Sequence, residues 1–367
     1  MLNIVKNENI ILSQIERAQM DKKDIFIYGC GEVGKNIYGV LSSQGITVKA
    51  FCVDEDYFVD GKYIESVPIE SLENIVSKCI NENRKAVIIV AFRGFIAEKL
   101  SKYNELVEVI NEDIVSLMDV NGYPRIDYAF IDENRKLFEQ TYSWLEDKKS
   151  KQCMSAFLNQ KISGKFGYLS ELWDNNQYFA GEIIDFNKIN AIIDCGAYNG
   201  DSYLSFLDNY EKNVGHKYGG KAYLLEPDKE NYNQMCHNCK KIDNCEMLNI
   251  GAWSKKEVLT FSNGNGTSSG IDENGSITIE VDCIDHFAEG KVDFIKMDIE
   301  GSEMEALKGA EETIKRDHPI LAICVYHKRE DLITIPNYIK SLCENYKFYL
   351  RIYTPYSQEL VLYAVCK

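Results

Sequence analysis

The chain has 367 residues, 45% of them hydrophobic and 27% charged, and carries a formal net charge of −16. The length exceeds one ordinary domain and the composition is globular, so two domains are expected. The acidic balance argues against a nucleic-acid binder and against docking on an anionic membrane, since both need a basic footprint; a soluble enzyme with a small or neutral substrate fits better.

From the N-terminus, MLNIVKNENIILSQIERAQ is apolar only in short pieces broken by charges and reads as neither a signal peptide nor an anchor. DIFIYG, ITVKAFCVD and AVIIVAF are predicted strands, with helices between them, and this alternation over residues 24 to about 120 implies a parallel sheet covered by helices. The longest apolar run, AVIIVAF, is far too short to cross a membrane, and no membrane insertion is expected.

Between the first strand and its helix lies Gly29-x-Gly31-x-x-Gly34, and Asp54 ends the next strand. Glycines at this spacing permit a tight turn and close approach of a pyrophosphate, and an acid at that distance can accept from ribose hydroxyls. The loop is therefore a candidate site for NAD(H) or another nucleotide. The competing reading is a turn retained without a ligand.

Residues 121–175 mix aromatics and charges at helical spacing and are expected to bridge a first domain, 1–120, to a second, 176–367. In the second, AIIDCG, KAYLLEP, CEMLNIGAW, VDFIKMDI and PILAICVYH are predicted strands. YKFYLRIY and QELVLYAVC follow with only a short turn between them, which allows only an antiparallel pair. A mostly parallel sheet closed by such a hairpin is the layout of Rossmann-like methyltransferases. The expected fold class is α/β, with two Rossmann-like three-layer domains.

Twelve cysteines are scattered without framework spacing and read as reduced thiols of a cytoplasmic protein. Cys236, Cys239 and Cys245 cluster in CHNCKKIDNC, but no second C-x-x-C accompanies them. Thiols at a helix–strand junction are a simpler reading than zinc.

The second glycine loop, Asp194-x-Gly196-x-x-x-Gly200-Asp201, differs in charge from the first. Two carboxylates would repel a pyrophosphate. They suit a ligand carrying positive charge beside an adenosine, the character of S-adenosylmethionine. Glu226, ending KAYLLEP, is positioned to accept from both ribose hydroxyls. Asp201 has a competing reading as a helix cap.

DCGAYNGD, LLEPDKENY, NIGAWS, KMDIEGSEMEALKGA and YHKREDL, together with NQYFAGEIIDF and LVLYAV, resemble the FkbM family of S-adenosylmethionine-dependent methyltransferases over roughly 176–367. The first domain more loosely resembles nucleotide-binding modules of sugar and polysaccharide biosynthesis proteins. The resemblance implies a cofactor site of Asp194, Gly196, Ala197, Gly200, Asp201 and Glu226, with Asn249, Gly251 and Ala252 near the adenine. It implies methylation of a hydroxyl on a small-molecule or saccharide acceptor. Some relatives carry a histidine in the strand reading YLRIY, where Ile352 would be a departure.

Methyl transfer to a hydroxyl needs alignment and removal of a proton. Asp298 and His327 end neighbouring predicted strands, so their side chains can converge. His327 is expected as general base, its ordinary pKa being nearest neutral, with Asp298 orienting it. The alternative is a divalent-metal site of Asp298, Glu300 and His327. Ser302 and Glu305 are expected to form a capping box, and Glu303 to sit in the first helical turn. Besides methyl transfer, an NAD-dependent oxidoreductase and a nucleotide-binding regulator remain open.

Overall fold

A computed structural model describes residues 2–6, 9–92, 107–119, 123–262, 270–271 and 277–366. After α1 (Ile10–Met20), the first domain runs β1 (Asp24–Tyr28), α2 (Glu32–Ser43), β2 (Ala50–Val53), β3 (Tyr63–Ile64), β4 (Val67–Ser71), α3 (Leu72–Asn81), β5 (Ala86–Val90) and β6 (Val107–Ile110). The sheet order is β3-β4-β2-β1-β5-β6, parallel except for the edge pair β3–β4. Strand alternation divides the core. Ile25, Ile27, Phe51, Val87 and Ile89 pack on one face with residues of α1 and α2, while Phe26, Tyr28, Ile88 and Val90 pack on the other with α3.

Three bridge helices follow: α4 (Tyr128–Glu133), α5 (Arg135–Trp144) and α6 (Lys148–Ser163). They do not form a separate unit. Phe138, Leu145, Phe157 and Leu158 share one buried core with Ile193, Ile295, Leu321 and Phe348 of the second sheet. Buried Arg351 donates to Asp147 and Glu182, and the Ser150 hydroxyl accepts from the Leu350 amide at 2.9 Å.

The second domain comprises β7 (Ala191–Cys195), α7 (Asp201–Val214), β8 (Lys221–Leu225), α8 (Lys229–Cys239), β9 (Cys245–Leu248), β10 (Gly251–Ala252), β11 (Glu257–Ser262), β12 (Gly270–Ile271), β13 (Ile277–Asp282), α9 (Ile284–Phe287), β14 (Phe294–Met297), α10 (Glu303–Lys308), α11 (Glu311–Asp317), β15 (Ile320–Cys324), α12 (Asp331–Leu342), β16 (Tyr346–Ile352) and β17 (Leu360–Cys366). Its main sheet is ordered β16-β17-β15-β14-β7-β8-β9, with β17 antiparallel to both β15 and β16 and the rest parallel. The order reverses at β7, whose neighbours β8 and β14 carry the chain in opposite directions. A ligand crevice belongs at such a switch point, beyond the carboxyl ends of the strands.

Two expectations change in detail. CEMLNIGAW is not one strand. It breaks after Leu248, and Gly251–Ala252 joins β11, β12 and β13 in a small separate sheet. Ile352 is fully buried in β16, packed in the core shared with the bridge; the position is apolar interior.

Candidate active site

The loop after β7 is built by backbone necessity. Gly196 has φ +76°, and a Cβ there would meet the Asp298 carbonyl oxygen at 2.0 Å. Only glycine permits this approach of the β7 and β14 exits. Gly200, at φ +89°, caps α7, and a Cβ would meet Cys239 Sγ at 2.8 Å. Cys239 is thus packed under the loop, while Cys236 lies beside Tyr232 on the same helix. The amides of Gly196 and Ala197 both donate to the Leu225 carbonyl, so Ala197 is interior and ties the loop to β8.

Asp194 does not project into open solvent; it is 2% exposed. Its Oδ1 lies 3.0 Å from Lys296 Nζ, and its Oδ2 accepts from Ser202 Oγ at 2.5 Å. Lys296 follows from register, because β14 pairs with β7 so that Lys296 stands directly beside Asp194. The ammonium also donates to the Gly196 carbonyl at 2.6 Å and lies 5.0 Å from the Tyr178 ring centroid. Burial pushes the Asp194 pKa up. Burial opposes the Lys296 charge as well, but Asp194 and Asp298 more than offset it and hold its pKa above the ordinary value. Lys296 is therefore the firmly charged partner. Asp201 is exposed and is the first residue of α7, not its cap.

Glu226 leaves β8 almost buried. Its two oxygens accept from the amides of Tyr198 and Asp228, each at 2.9 Å. A carboxylate has about four acceptor positions, so about two remain. Burial raises its pKa to about 7, against the pull of those two amides. Asn249 braces this exit, donating to the carbonyls of Glu226 and Pro227 at 2.8 and 3.0 Å. Gly251 approaches Val281 and Pro227, Ala252 is buried, and the Trp253 indole N–H donates to Glu257.

Asp298 follows β14 immediately, and His327 lies three residues beyond β15. They do meet. His327 Nε2 is 3.4 Å from Asp298 Oδ1 and 3.5 Å from Glu300 Oε2, and Nδ1 is 2.9 Å from Glu303 Oε1. Burial disfavours a charged ring, but these three carboxylates outweigh it and raise the His327 pKa to about 10. This direction favours the protonated ring and so opposes the expected base role, which requires a neutral ring to accept a proton. Burial likewise opposes charge on Asp298, yet His327 and Lys296 keep its pKa below the usual carboxylate range.

The expected capping box is also replaced. The Ser302 side chain makes no capping bond. Glu303, fully buried, instead accepts from the Ile299 amide at 3.0 Å while facing His327. The Asp-Ile-Glu-Gly turn that carries Glu300 has φ +53° at Glu300 and +95° at Gly301, and the Tyr123 ring packs against Gly301.

Sequence reasoning missed Tyr178, Gln177, Cys324, Glu359 and Lys296. Tyr178 donates to Asp298 Oδ2 at 2.6 Å. Gln177 donates to Glu359 at 2.5 Å, and Asp298, Cys324 and Glu359 form a group whose polar atoms lie within 4.8 Å of one another. For Lys296, a lysine inside the apolar strand VDFIKMDI was the available signal. In the first domain, Gly29 has φ +112° and a Cβ on Gly34 would strike the Gly29 carbonyl at 2.1 Å, while Asp54 accepts from Tyr28 OH at 2.6 Å. That loop is a tight turn packed on its own helix.

The sheet order, the carboxylate-lined strand ends and the closing hairpin together define an α/β methyltransferase fold. Residues 194–348 match the family model described as the methyltransferase FkbM domain. Over nearly its whole length the chain is similar to the crystal structure of methyltransferase FkbM from Methylobacillus flagellatus KT, with 22% identity and a TM-score of 0.75, covering 96% of this chain and 93% of that one. Both domains therefore share that architecture. Looser likenesses include an rRNA methylase from Streptococcus thermophilus, with 17% identity, TM-score 0.32 and coverage of 52% and 93%. Aeropyrum pernix fibrillarin with natively bound S-adenosyl-L-methionine gives 14% identity, TM-score 0.30 and coverage of 48% and 66%. No curated protein matches. No helix among the described residues is long and apolar enough to cross a membrane.

Proposed function

We propose that this protein is an S-adenosylmethionine-dependent O-methyltransferase acting on a hydroxyl of a sugar, polysaccharide precursor or secondary metabolite. The observation that carries the reading is the set of carboxylates at the strand exits around the β7 switch point, Asp194, Asp201, Glu226 and Asp298, which outnumber the cations there, Lys296 being engaged with Asp194. That charge favours the sulfonium and ammonium of this cofactor and disfavours phosphates. Glu226 retains acceptor capacity for two ribose hydroxyls, and the Gly196 and Gly200 turns leave backbone close to the crevice. Asn249, Gly251 and Ala252 are assigned to the adenine side. Asp194 and Lys296 are positioning residues that hold the loop.

When bound, the cofactor supplies a methyl group whose bond to sulfur breaks as its bond to the acceptor oxygen forms. The protein's part is alignment and proton removal. Asp298 and Glu359 are assigned to receive the hydroxyl proton, with Tyr178 and His327 fixing Asp298. The NAD-dependent oxidoreductase is not favoured, since the domain and fold point to methyl transfer.

The test is calorimetry of the full chain with S-adenosylmethionine, followed by transfer of labelled methyl to a panel of saccharides and hydroxylated metabolites. Binding and labelled ether products are expected. A chain that binds no S-adenosylmethionine would sink the proposal.

A further inference from the structure

The open end of the β16–β17 hairpin holds a pair of thiols that the methyl-transfer site does not use. Register puts them together. β16 and β17 pair antiparallel from Ile352 against Leu360 to Tyr346 against Cys366, so Cys366 closes β17 directly opposite the first residue of β16. Cys343 caps the C-terminus of α12, its amide donating to the Ile339 carbonyl. The Tyr346 amide donates to the Cys343 carbonyl at 3.4 Å, a turn that brings Cys343 to the same end of the hairpin. The two sulfurs stand 4.0 Å apart.

A disulfide has its sulfurs about 2.05 Å apart, so this pair has about 2 Å to close. That is less than the step a cysteine sulfur takes between staggered rotamers. Access also singles the pair out. Seven of the twelve thiols are buried and shielded from reagents; of the five half-buried ones, Cys343 and Cys366 are the two that make a thiol–thiol hydrogen-bond contact.

We propose that Cys343 and Cys366 are a modification site, a reversible disulfide that staples the end of α12 to the end of β17. The oxidant is a low-molecular-weight disulfide. The thiolate of one cysteine attacks a sulfur of that reagent, whose S–S bond breaks, expelling one small thiolate and leaving a mixed disulfide. The thiolate of the second cysteine attacks the protein sulfur of the mixed disulfide and expels the other half. The two protein thiols give up two electrons and two protons, and the reagent takes up both and leaves as two thiols. Because both cysteines are half-buried, the bond stays open to reductants, which regenerate the thiols.

Topology says what the staple does. β16 is the edge strand of the main sheet, and β17 runs antiparallel to β15. Cys366 therefore lies at the sheet edge opposite the crevice, and the staple closes residues 343–366 into a ring without entering the site. The ring restricts the unfolded chain and holds the edge strand against fraying. The inference is independent of the methyl-transfer reading.

The experiment treats the full chain with oxidised glutathione at mildly alkaline pH, because burial and the neighbouring Cys343 raise the Cys366 pKa and the thiolate is the nucleophile. Free thiols are then alkylated, and the protein is digested without reduction for mass spectrometry. A peptide linking Cys343 to Cys366 is expected in most molecules, and dithiothreitol should remove it. Oxidised wild type should unfold several degrees above reduced wild type, and its β16 amides should exchange more slowly. Cys343→Ser and Cys366→Ser should each stop at a glutathione adduct on the remaining cysteine and lose the thermal gain, while Cys236→Ser should keep both. If a serine variant does not fold, oxidised and reduced wild type carry the comparison alone. A wild type that does not react or that stops at glutathione adducts, a linked peptide joining a different pair in place of this one, or a linked peptide with no rise in Tm would each overturn the proposal.

Discussion

Lys296 and Asp194 form a buried ion pair, 3% and 2% exposed. Removing one member of such a pair leaves the other uncompensated and costs about 3–5 kcal/mol. Lys296→Met should therefore lower stability by that amount in denaturant titration, and Asp194→Asn added to it should recover part of the loss. Additive losses in the double variant would show that the pair is not coupled. Glu226 yields a pH prediction. Burial raises its pKa to about 7, so its charge in the free protein changes across the neutral range. Ribose hydroxyls donate best to the ionised form, so binding is linked to proton release. Affinity for S-adenosylmethionine should rise from pH 6 to pH 8 by up to about tenfold per unit below the pKa, then level off. The groups bearing on this titration are Asp228, which raises the pKa, and Lys296, which lowers it. Glu226→Gln should bind about 1–3 kcal/mol more weakly and lose that pH slope. A wild-type slope in the glutamine variant would assign the titration elsewhere.

At the scale of elements, the site is the meeting of two strand exits. The β7 exit turns at Gly196 and the β14 exit passes Asp298 so closely that a single methyl group would collide with backbone. Gly196→Ala adds that clash to an unfavourable φ, with strain of order 1–3 kcal/mol. It should lower the midpoint of unfolding and reduce cofactor affinity together, whereas Gly31→Ala, where a Cβ meets nothing within 4 Å, should leave both near wild type. Much of this level was legible in the sequence. The period-2 apolar runs gave the main strands, and the short turn before QELVLYAVC gave the antiparallel finish. Asp298 and His327 were legible because acids and histidines at strand ends are few. What the sequence hid was register and long-range reach. Lys296 stands beside Asp194 only because β14 pairs with β7, and Tyr178 reaches Asp298 from a segment ahead of the whole second sheet. Glu303 read as a helix-terminal acid because nothing local reveals that His327, 24 positions on, folds back onto it.

At the scale of the molecule, the bridge decides where a folding unit can be cut. The sequence suggested a boundary near 175, yet α5 and α6 bury Phe138, Leu145, Phe157 and Leu158 against the second sheet. The β16 edge is also fastened to the bridge and the segment after it: Trp173 bridges Ile352, Leu145 bridges Phe348, and Arg351 is paired with Asp147 and Glu182. A fragment 176–367 would uncover the side chains they pack on, Phe348 and Ile352 of β16 among them, and leave Arg351 without Asp147. Large buried side chains contribute about 1.5–3 kcal/mol each, and a domain has only about 5–15 kcal/mol in hand. That fragment should aggregate or fail to give a cooperative transition. A fragment 123–367 keeps the shared core, and it should unfold cooperatively and bind S-adenosylmethionine within about tenfold of the full chain. The first domain adds further ties. Buried Asp113 accepts from Gln160 in α6 and from the Ser357 amide in the β16–β17 turn, each at 2.9 Å, Glu112 accepts from the Phe166 amide, and Asn159 accepts from the Val5 amide. Calorimetric scans of both fragments and the full chain decide the matter. A cooperative, cofactor-binding 176–367 would show that the bridge is dispensable, and a non-cooperative 123–367 would show that the ties to the first domain carry more of the stability than the shared core.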